Sequence, residues 1–517
     1  MHLRLRYFHV GDKKQDYNSI ETDRNLVDRI LKYTGVFGGV QCVSILMTFA
    51  LTKVKSVLLG PVGYGITENL NRSADIVKNS TNLGIATVAV PDISQSAADQ
   101  DYDKLSDKVM LTRSWALLTA LAGMAVCLVL APFLNVWAFG GEGSYTAGFM
   151  VLSLAVAASA VAGGETAILR GSGMLRQIAL SQLFSGLFSL LISLPLYWFF
   201  RLEGIIPALV LVSIGNMAIN LYFSVRRFPY TAHPFKWSHL RNGTGMIGFG
   251  IYFTIVAFMS ALAWSFIARF LMDKGGAELT GTYSAGYMLV TYFTTLLLSV
   301  TDTEYYPRLS AVCNDLKEAH RLMNHQSLAM CMLSAPLVIL FILLAPVAVY
   351  IALDYDKFHT SILLAQLASV GLFFKSVSQP IGYMLLSRSD SRIYLIQESL
   401  CYIMLVICVS VGFNYAGVLG LGASFAVWEL SYLLLVLIVS RLRYGFRMTG
   451  TVVRNFIIQG VLVSAAAVGA VADTTAGVLL DVAVCVVSVV FSICFYWKNS
   501  TFIPSFFSKL FTRSGSR

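Results

Sequence analysis

Apolar runs of about twenty residues recur along this chain, and a run of that length crosses a bilayer as a helix. Fourteen can be placed. They lie at 35–60, 64–90, 114–139, 146–169, 178–200 and 203–225, then at 246–272, 279–306, 327–353, 361–386, 393–414 and 417–440, and finally at 455–472 and 475–497. With 56% hydrophobic and only 13% charged residues in 517, the chain is predicted to be an all-α polytopic membrane protein with 14 transmembrane helices. A membrane β-barrel would instead show short alternating segments, which are absent. The N-terminal MHLRLRYFHVGDKK is basic but has no apolar core or cleavage pattern, so no signal peptide is expected. Residues 20–32 read as an amphipathic helix on the membrane surface, with a partner-binding helix as the alternative.

Of the 38 Lys and Arg, 29 fall in tails and loops on the side of the N-terminus, 3 on the opposite side and 6 within spans. That asymmetry follows the positive-inside rule and predicts that both termini are cytoplasmic. The net charge of +10 then faces an anionic leaflet, and no nucleic-acid partner is needed. The eight cysteines sit almost all in apolar runs without CxxC or His-partner spacing, and the seven His form no paired motif. Disulfides, a metal site and a bound cofactor are therefore not expected. Nor is an enzyme: no nucleophile triad, phosphate-binding loop or paired-carboxylate signature is present.

An internal repeat appears at an offset of roughly 213–218 residues. Pro91-Asp-Ile-Ser matches Pro307-Arg-Leu-Ser, Arg170 matches Arg388, Gly204 matches Gly417, and Lys53 matches Arg269. Six spans per repeat is an even number, so the two halves insert the same way round, as parallel repeats with a cavity between them. The organisation expected is a tail with the amphipathic helix (1–32), a six-helix lobe (33–226), a linker (227–244), a second six-helix lobe (245–444), helices 13 and 14 (445–498) and a tail (499–517).

Ionisable residues at membrane depth cost about 2.5–3.5 kcal/mol each on insertion scales, so they mark cavities or pair with one another. The second span carries Glu68, Arg72 and Asp75 on one helical face, with Lys78 on an adjoining stripe. Glu68–Arg72 and Asp75–Lys78 are also spaced to cancel as pairs. On the first span, Lys53 and Lys55 lie about 200° apart and cannot both enter one cavity on a straight helix. Periodicity favours Lys55, with Ser44, Thr48 and Thr52 on its stripe, whereas the repeat favours Lys53. Lys375 is isolated in the tenth span. Glu165, Glu398 and Glu429 are the deep acids of other spans and candidates for binding a coupling proton or sodium ion, while Asp302 and Glu304 are close enough to a span end to snorkel.

The run VKSVLLGPVGYG, the polar second span ending in AVPDIS, DTEYYPRLSAV with its following helical loop, and GYMLLSRSDSRIYLIQE together resemble the Wzx-type polysaccharide and O-antigen flippases. That branch belongs to the superfamily holding the MATE exporters and the lipid II flippase. The resemblance covers roughly residues 26–445. It implies a MATE-like V of two lobes working by alternating access in the bacterial inner membrane. The cargo implied is an undecaprenyl-pyrophosphate-linked oligosaccharide, with a polysaccharide polymerase as a candidate partner. It also implies that basic residues of the first spans and their second-lobe counterparts meet the pyrophosphate. Lys53 or Lys55, Lys78 and Arg269 occupy matching positions, and Arg72 and Lys375 complete the basic set within the spans. Fourteen spans rather than twelve is a departure from many sugar-unit flippases, shared with the lipid II flippase, where the extra pair forms a groove for the lipid tail. A MATE-like ion-coupled multidrug antiporter and a non-transporting scaffold are the competing readings. The first would want an acidic cavity, and the second does not explain a charged second span.

Overall fold

The structure is a computed structural model and describes residues 23–98, 102–140, 145–229, 244–300, 305–388, 390–472 and 474–499. The two tails, most of the 227–244 linker, Asp302, Glu304 and Asp473 lie outside the described residues. Among those described, every regular element is helical: α1 Asp23–Thr81, α2 Ile85–Ala98, α3 Tyr102–Phe139, α4 Thr146–Gly171, α5 Leu175–Phe200, α6 Ile205–Val225, α7 Thr244–Val300, α8 Tyr306–Val312, α9 Leu316–Ala352, α10 Thr360–Ser387, α11 Ser391–Tyr444, α12 Gly450–Ala472 and α13 Thr475–Asn499. Among the described residues, ten stretches are long and apolar enough to cross a membrane. Four of them run to 36, 50, 49 and 54 residues and each contains a backbone break.

Those breaks repeat with one period. Gly60 has φ 65° and ψ −172°, and Gly276 has φ 66° and ψ −166°. Arg201 has φ 51° and ψ −125°, and Gly417 has φ 56° and ψ −131°. Both pairs are 216 residues apart. Glycine reaches a left-handed φ without penalty, which suits three of the four positions. At the fourth, Arg201 directs Nη1 to the Leu58 carbonyl, 3.3 Å away, where the first arm of α1 ends. A side chain is kept there because it satisfies an otherwise unpaired helix-end carbonyl.

Two expectations about boundaries are corrected. The charged second span does not run to Pro91. It stops at Thr81, turns through Leu83 (φ 49°) and Gly84 (φ 64°), and resumes as α2 with Pro91 inside it. The left-handed pair, not the proline, supplies the break. Likewise the helix described from Asp23 continues without interruption to Gly60, so 23–32 is not a separate element, while residues 20–22 lie outside the described residues.

Buried apolar clusters keep mostly to one half of the chain. Leu70, Cys127, Leu134, Phe149 and Ala208 pack together in the first half, and Leu271, Leu405, Leu421 and Phe425 in the second. One cluster crosses over, placing Tyr64 against Leu289, Val349 and Phe358. α12 and α13 attach to the second half through Val463, Ala466 and Val484, which pack on Met332, Ile339 and Phe373. A satisfied polar chain fixes that contact. Ser488 donates to Gln459 (2.7 Å), Gln459 to Ser492 (2.9 Å) and Ser492 to the Met332 carbonyl (2.8 Å). Buried polar groups of this kind are tolerated because each has a partner.

Outside the spans, the turn between α10 and α11 is tied to the end of α11. Arg443 donates to both oxygens of Asp390 at 3.2 and 3.3 Å, and the Tyr444 hydroxyl donates to the same carboxylate. The Arg443 hydrogen bonds hold the Asp390 carboxyl below the usual carboxylate range against a smaller opposing effect of burial, and Tyr444 adds to them. Because the folded value is depressed, this stabilisation is complete above the unfolded value of about 3.9 and is lost as pH falls through the folded one. Thermal unfolding between pH 6 and pH 3 is expected to show a shallower acid decline for Asp390→Asn than for the parent protein. Equal declines would remove this group from the acid response.

Candidate functional site

The two halves meet at their distal ends, where the Gly60 and Gly276 breaks lie. The arm of α1 after Gly60 crosses the arm of α7 after Gly276 so closely that only glycine fits. A Cβ on Gly65 would stand 1.9 Å from the Ala277 carbonyl oxygen, and one on Gly281 would stand 1.9 Å from the Pro61 carbonyl oxygen. The same offset of 216 relates Gly65 to Gly281 and Pro61 to Ala277, so the crossing sits on the pseudo-two-fold axis of the repeat.

Two cations flank this crossing in equivalent ways. Lys53, on the first half, donates to the Tyr350 carbonyl at 2.8 Å and to the Leu353 carbonyl, both at the C-terminal end of α9. Arg269, on the second half, donates to the Val136 carbonyl at 3.2 Å near the C-terminal end of α3 and pairs with Asp273 at 2.9 Å. A helix C-terminus carries a partial negative charge, so each contact sets a cation against a helix end of the opposite half. Trp137 adds a third tie, donating its indole N–H to Ser265 at 2.9 Å. Here the donors of Lys53 and Arg269, both expected to meet a pyrophosphate, are engaged with helix ends of the opposite half.

Lys55 differs. It is half-buried and makes no hydrogen bond or ion pair among the described residues, and Glu68 is the acid whose charge it feels. Its stripe faces the other half, for Thr52 contacts the Met288 sulfur at 3.4 Å, and beyond the Gly60 break Tyr64 reaches the same sulfur at 3.0 Å. One turn beyond Glu68, Arg72 pairs with that carboxylate at 2.7 Å and lays its guanidinium over Trp264 of the second half, 5.1 Å from the ring centre. Arginine is suited to such a site because its planar group stacks and still offers donors. Asp75 and Lys78 continue the face as a looser pair at 3.5 Å, with 37% and 40% of their side chains exposed.

From Trp264 a run of rings leads into the second half. Trp264 lies 4.6 Å from Tyr287, Tyr287 lies 4.5 Å from Phe425, and Phe425 lies 5.9 Å from Trp428. Lys375 sits over Trp428 at 5.7 Å and pairs with Glu429 at 3.1 Å. Lys375, expected to be isolated, is thus neutralised by one of the candidate coupling acids. Beyond it, between α10 and α11, is a cavity of about 260 Å³ that reaches from Lys375 to Tyr383 and Leu386 and includes Glu398, Glu429 and Tyr432. Glu398 accepts from the Tyr432 hydroxyl at 2.5 Å and has no ion-pair partner among the described residues. Among those residues, no group of three or more side chains is arranged to hold a metal ion.

Glu165 is the acid that the structure removes from this constellation. Its two oxygens accept from Arg113 Nε and Nη2 at 2.9 and 3.1 Å, with the pair sealed between α3 and α4 at 8% and 2% side-chain exposure. Arg113 also reaches the Phe228 carbonyl (2.8 Å) and Ser224 (3.2 Å). Sequence reasoning missed the partner because Arg113 reads as a loop cation just before an apolar run. It also missed the aromatic run. The only local signals were the i,i+4 spacing of Tyr283 and Tyr287 and the i,i+3 spacing of Phe425 and Trp428, which any packed helix shows.

The fold matches solved structures along most of its length. It superposes on the lipid II flippase MurJ in an inward closed conformation with a TM-score of 0.64 at 12% identity, covering 90% of this chain and 99% of that one. An inward-facing multidrug-resistance MATE transporter of the MOP superfamily gives 0.60 at 13%, covering 78% and 94%. A MOP-superfamily transporter from Pyrococcus furiosus, described as having a binding pocket of reversed polarity, gives 0.58 at 14%, covering 81% and 95%. No curated protein matches the sequence significantly. The family described as polysaccharide biosynthesis protein matches over residues 58–362, more than half of the 517. That family and these structural neighbours are transporters and flippases, not enzymes. The match takes in the Gly65–Gly281 crossing, Glu68, Arg72, Asp75 and Lys78 of α1, and Trp264 and Tyr287, and on it the chain belongs to the polysaccharide biosynthesis protein family.

Proposed function

We propose that this protein is a flippase that turns an undecaprenyl-pyrophosphate-linked oligosaccharide from the cytoplasmic to the outer leaflet of the bacterial inner membrane. The observation that carries the reading is the pair Lys55 and Arg72 on the wall between the halves. One is a half-buried cation with no hydrogen bond or ion pair among the described residues, and the other is a guanidinium paired with Glu68 and laid over an aromatic ring. A diphosphate entering a site of low dielectric needs such donors, with lysine acting as a point charge and arginine as a fork. The distal clasp supports alternating access. Lys53, Arg269 and the Gly65–Gly281 crossing close one end, and all three are contacts between halves that a rocking motion would break. Both termini are placed in the cytoplasm, with the transfer driven by a proton or sodium gradient or the membrane potential. A polymerase acting on the delivered unit is the proposed partner.

Replacing Lys55 or Arg72 with Ala is expected to cut surface-glycan assembly in cells about ten- to a hundredfold at matched protein level. That range follows from roughly 1.5–3 kcal/mol per hydrogen bond to a charged group. Lys78→Ala is expected to have a smaller effect, because its ammonium is exposed and already beside Asp75. Undiminished glycan in both the Lys55 and the Arg72 variants would remove the cationic wall from the mechanism.

A further inference from the structure

The cavity in the second half has a chemistry unlike that of the wall between the halves. At ~30 Å³ per water, its volume of about 260 Å³ is the scale of one sugar ring rather than of an oligosaccharide. Its walls are rings with polar edges. Trp428 donates its indole N–H to the Cys401 carbonyl at 2.9 Å, which fixes the ring as a stacking surface. Tyr402, Tyr394, Gln379 and Tyr383 line the same cavity, with Gln379 donating to the Tyr383 hydroxyl at 2.6 Å, so amide and hydroxyl groups edge the rings. A pyranose has the matching surface, with polarised C–H groups for the negative face of an aromatic ring and hydroxyls around its edge. The charge is equally specific. Lys375 and Glu429 pair at 3.1 Å, whereas Glu398 accepts from the Tyr432 hydroxyl at 2.5 Å and has no ion-pair partner among the described residues.

We infer that this cavity is a subsite for one non-acidic sugar of the carried glycan, neutral or aminated, and that Glu398 excludes uronic acids from it. The inference rests on the flippase reading and adds to it which residues recognise the glycan and what class of sugar they accept. An organic cation is the other ligand that rings and carboxylates suggest. It is disfavoured because the rings are edged by the amide and hydroxyl groups of Gln379, Tyr383 and Tyr402, which pair with a sugar's hydroxyls and not with an alkylated cation.

The test uses the purified full-length protein in lipid nanodiscs, with saturation-transfer NMR reading the binding of methyl glucoside, methyl glucosaminide, methyl glucuronide and tetraphenylphosphonium. The two non-acidic glycosides are expected to bind at least tenfold more tightly than the glucuronide. Glu398→Gln, nearly isosteric, is expected to narrow that gap to less than threefold, and Trp428→Ala to weaken both non-acidic glycosides. Equal binding of the glucuronide, an unchanged gap in Glu398→Gln, or tetraphenylphosphonium displacing the glycosides from this cavity would overturn the inference. Transfer of a lipid-linked glycan is measured on the same preparations. Transfer without sugar preference overturns the subsite and leaves the flippase reading standing. Sugar binding without lipid transfer overturns the flippase reading, and with it the assignment of this cavity to a carried glycan.

Discussion

Gly65→Leu is expected to abolish transport and to hold the distal ends of the two halves apart. Even the first side-chain carbon would lie 1.9 Å from the Ala277 carbonyl and 2.8 Å from the Gly281 nitrogen. Both are backbone atoms, which cannot rotate aside as a flexible side chain can. Overpacking at a tight contact costs about 1–3 kcal/mol, which corresponds to roughly a 5- to 150-fold shift between two conformations if only one contains the contact. The shift can be read by spin labels at Val62 and Lys357 in a background lacking the eight native cysteines. The interlabel distance should lengthen in Gly65→Leu and lengthen less in Gly65→Ala. Gly450→Ala is the control, since a Cβ there meets nothing within 4 Å. An unaltered distance and full transport in Gly65→Leu would show that the crossing is not part of the conformational cycle.

Arg113→Ala is expected to be the most destabilising single substitution among the charged residues. Glu165 would be left with 2% side-chain exposure and without the guanidinium that donates both of the charge-assisted bonds it accepts. Removing one partner of a buried pair costs about 3–5 kcal/mol, whereas replacing both by apolar groups of similar volume is often close to neutral. Thermal unfolding in detergent should therefore show a large loss for Arg113→Ala and a much smaller one for the double variant Arg113→Met with Glu165→Leu. The folded fraction of the double variant should still transport, because the pair lies away from the wall formed by Lys55 and Arg72. Loss of transport in a stable double variant would return Glu165 to the list of coupling groups.

These residues also show what the sequence could and could not reveal. The parallel repeat was legible because a duplication leaves landmarks at one spacing, and the Gly60–Gly276 and Arg201–Gly417 breaks share it to the residue. The choice between Lys53 and Lys55 was not legible, because two cues pointed to different side chains. Both cues were sound. The repeat identified the Lys53–Arg269 pair, which meets helix ends across the halves, and periodicity identified Lys55, which faces the other half. Repeat-related cations take equivalent places at helix ends, while periodicity marks a different side chain of the same helix. The Arg113–Glu165 pair and the run from Trp264 to Trp428 join residues 52 and more than 160 positions apart. Nothing in a helical period carries contacts at that range. The break at Leu83–Gly84 was hidden for a different reason, since Pro91 is the stronger local signal and yet lies where α2 can accommodate it.

The central claim is that cations on the wall between the halves carry a lipid-linked pyrophosphate across the bilayer. It is tested most directly in vesicles containing the purified protein, by the rate at which an undecaprenyl-pyrophosphate-linked oligosaccharide becomes accessible on the opposite face. The parent protein is predicted to transfer it well above empty vesicles, with Lys55→Ala and Arg72→Ala each slower by at least tenfold. Transfer no faster than in empty vesicles, or an undiminished rate in both variants, would contradict it.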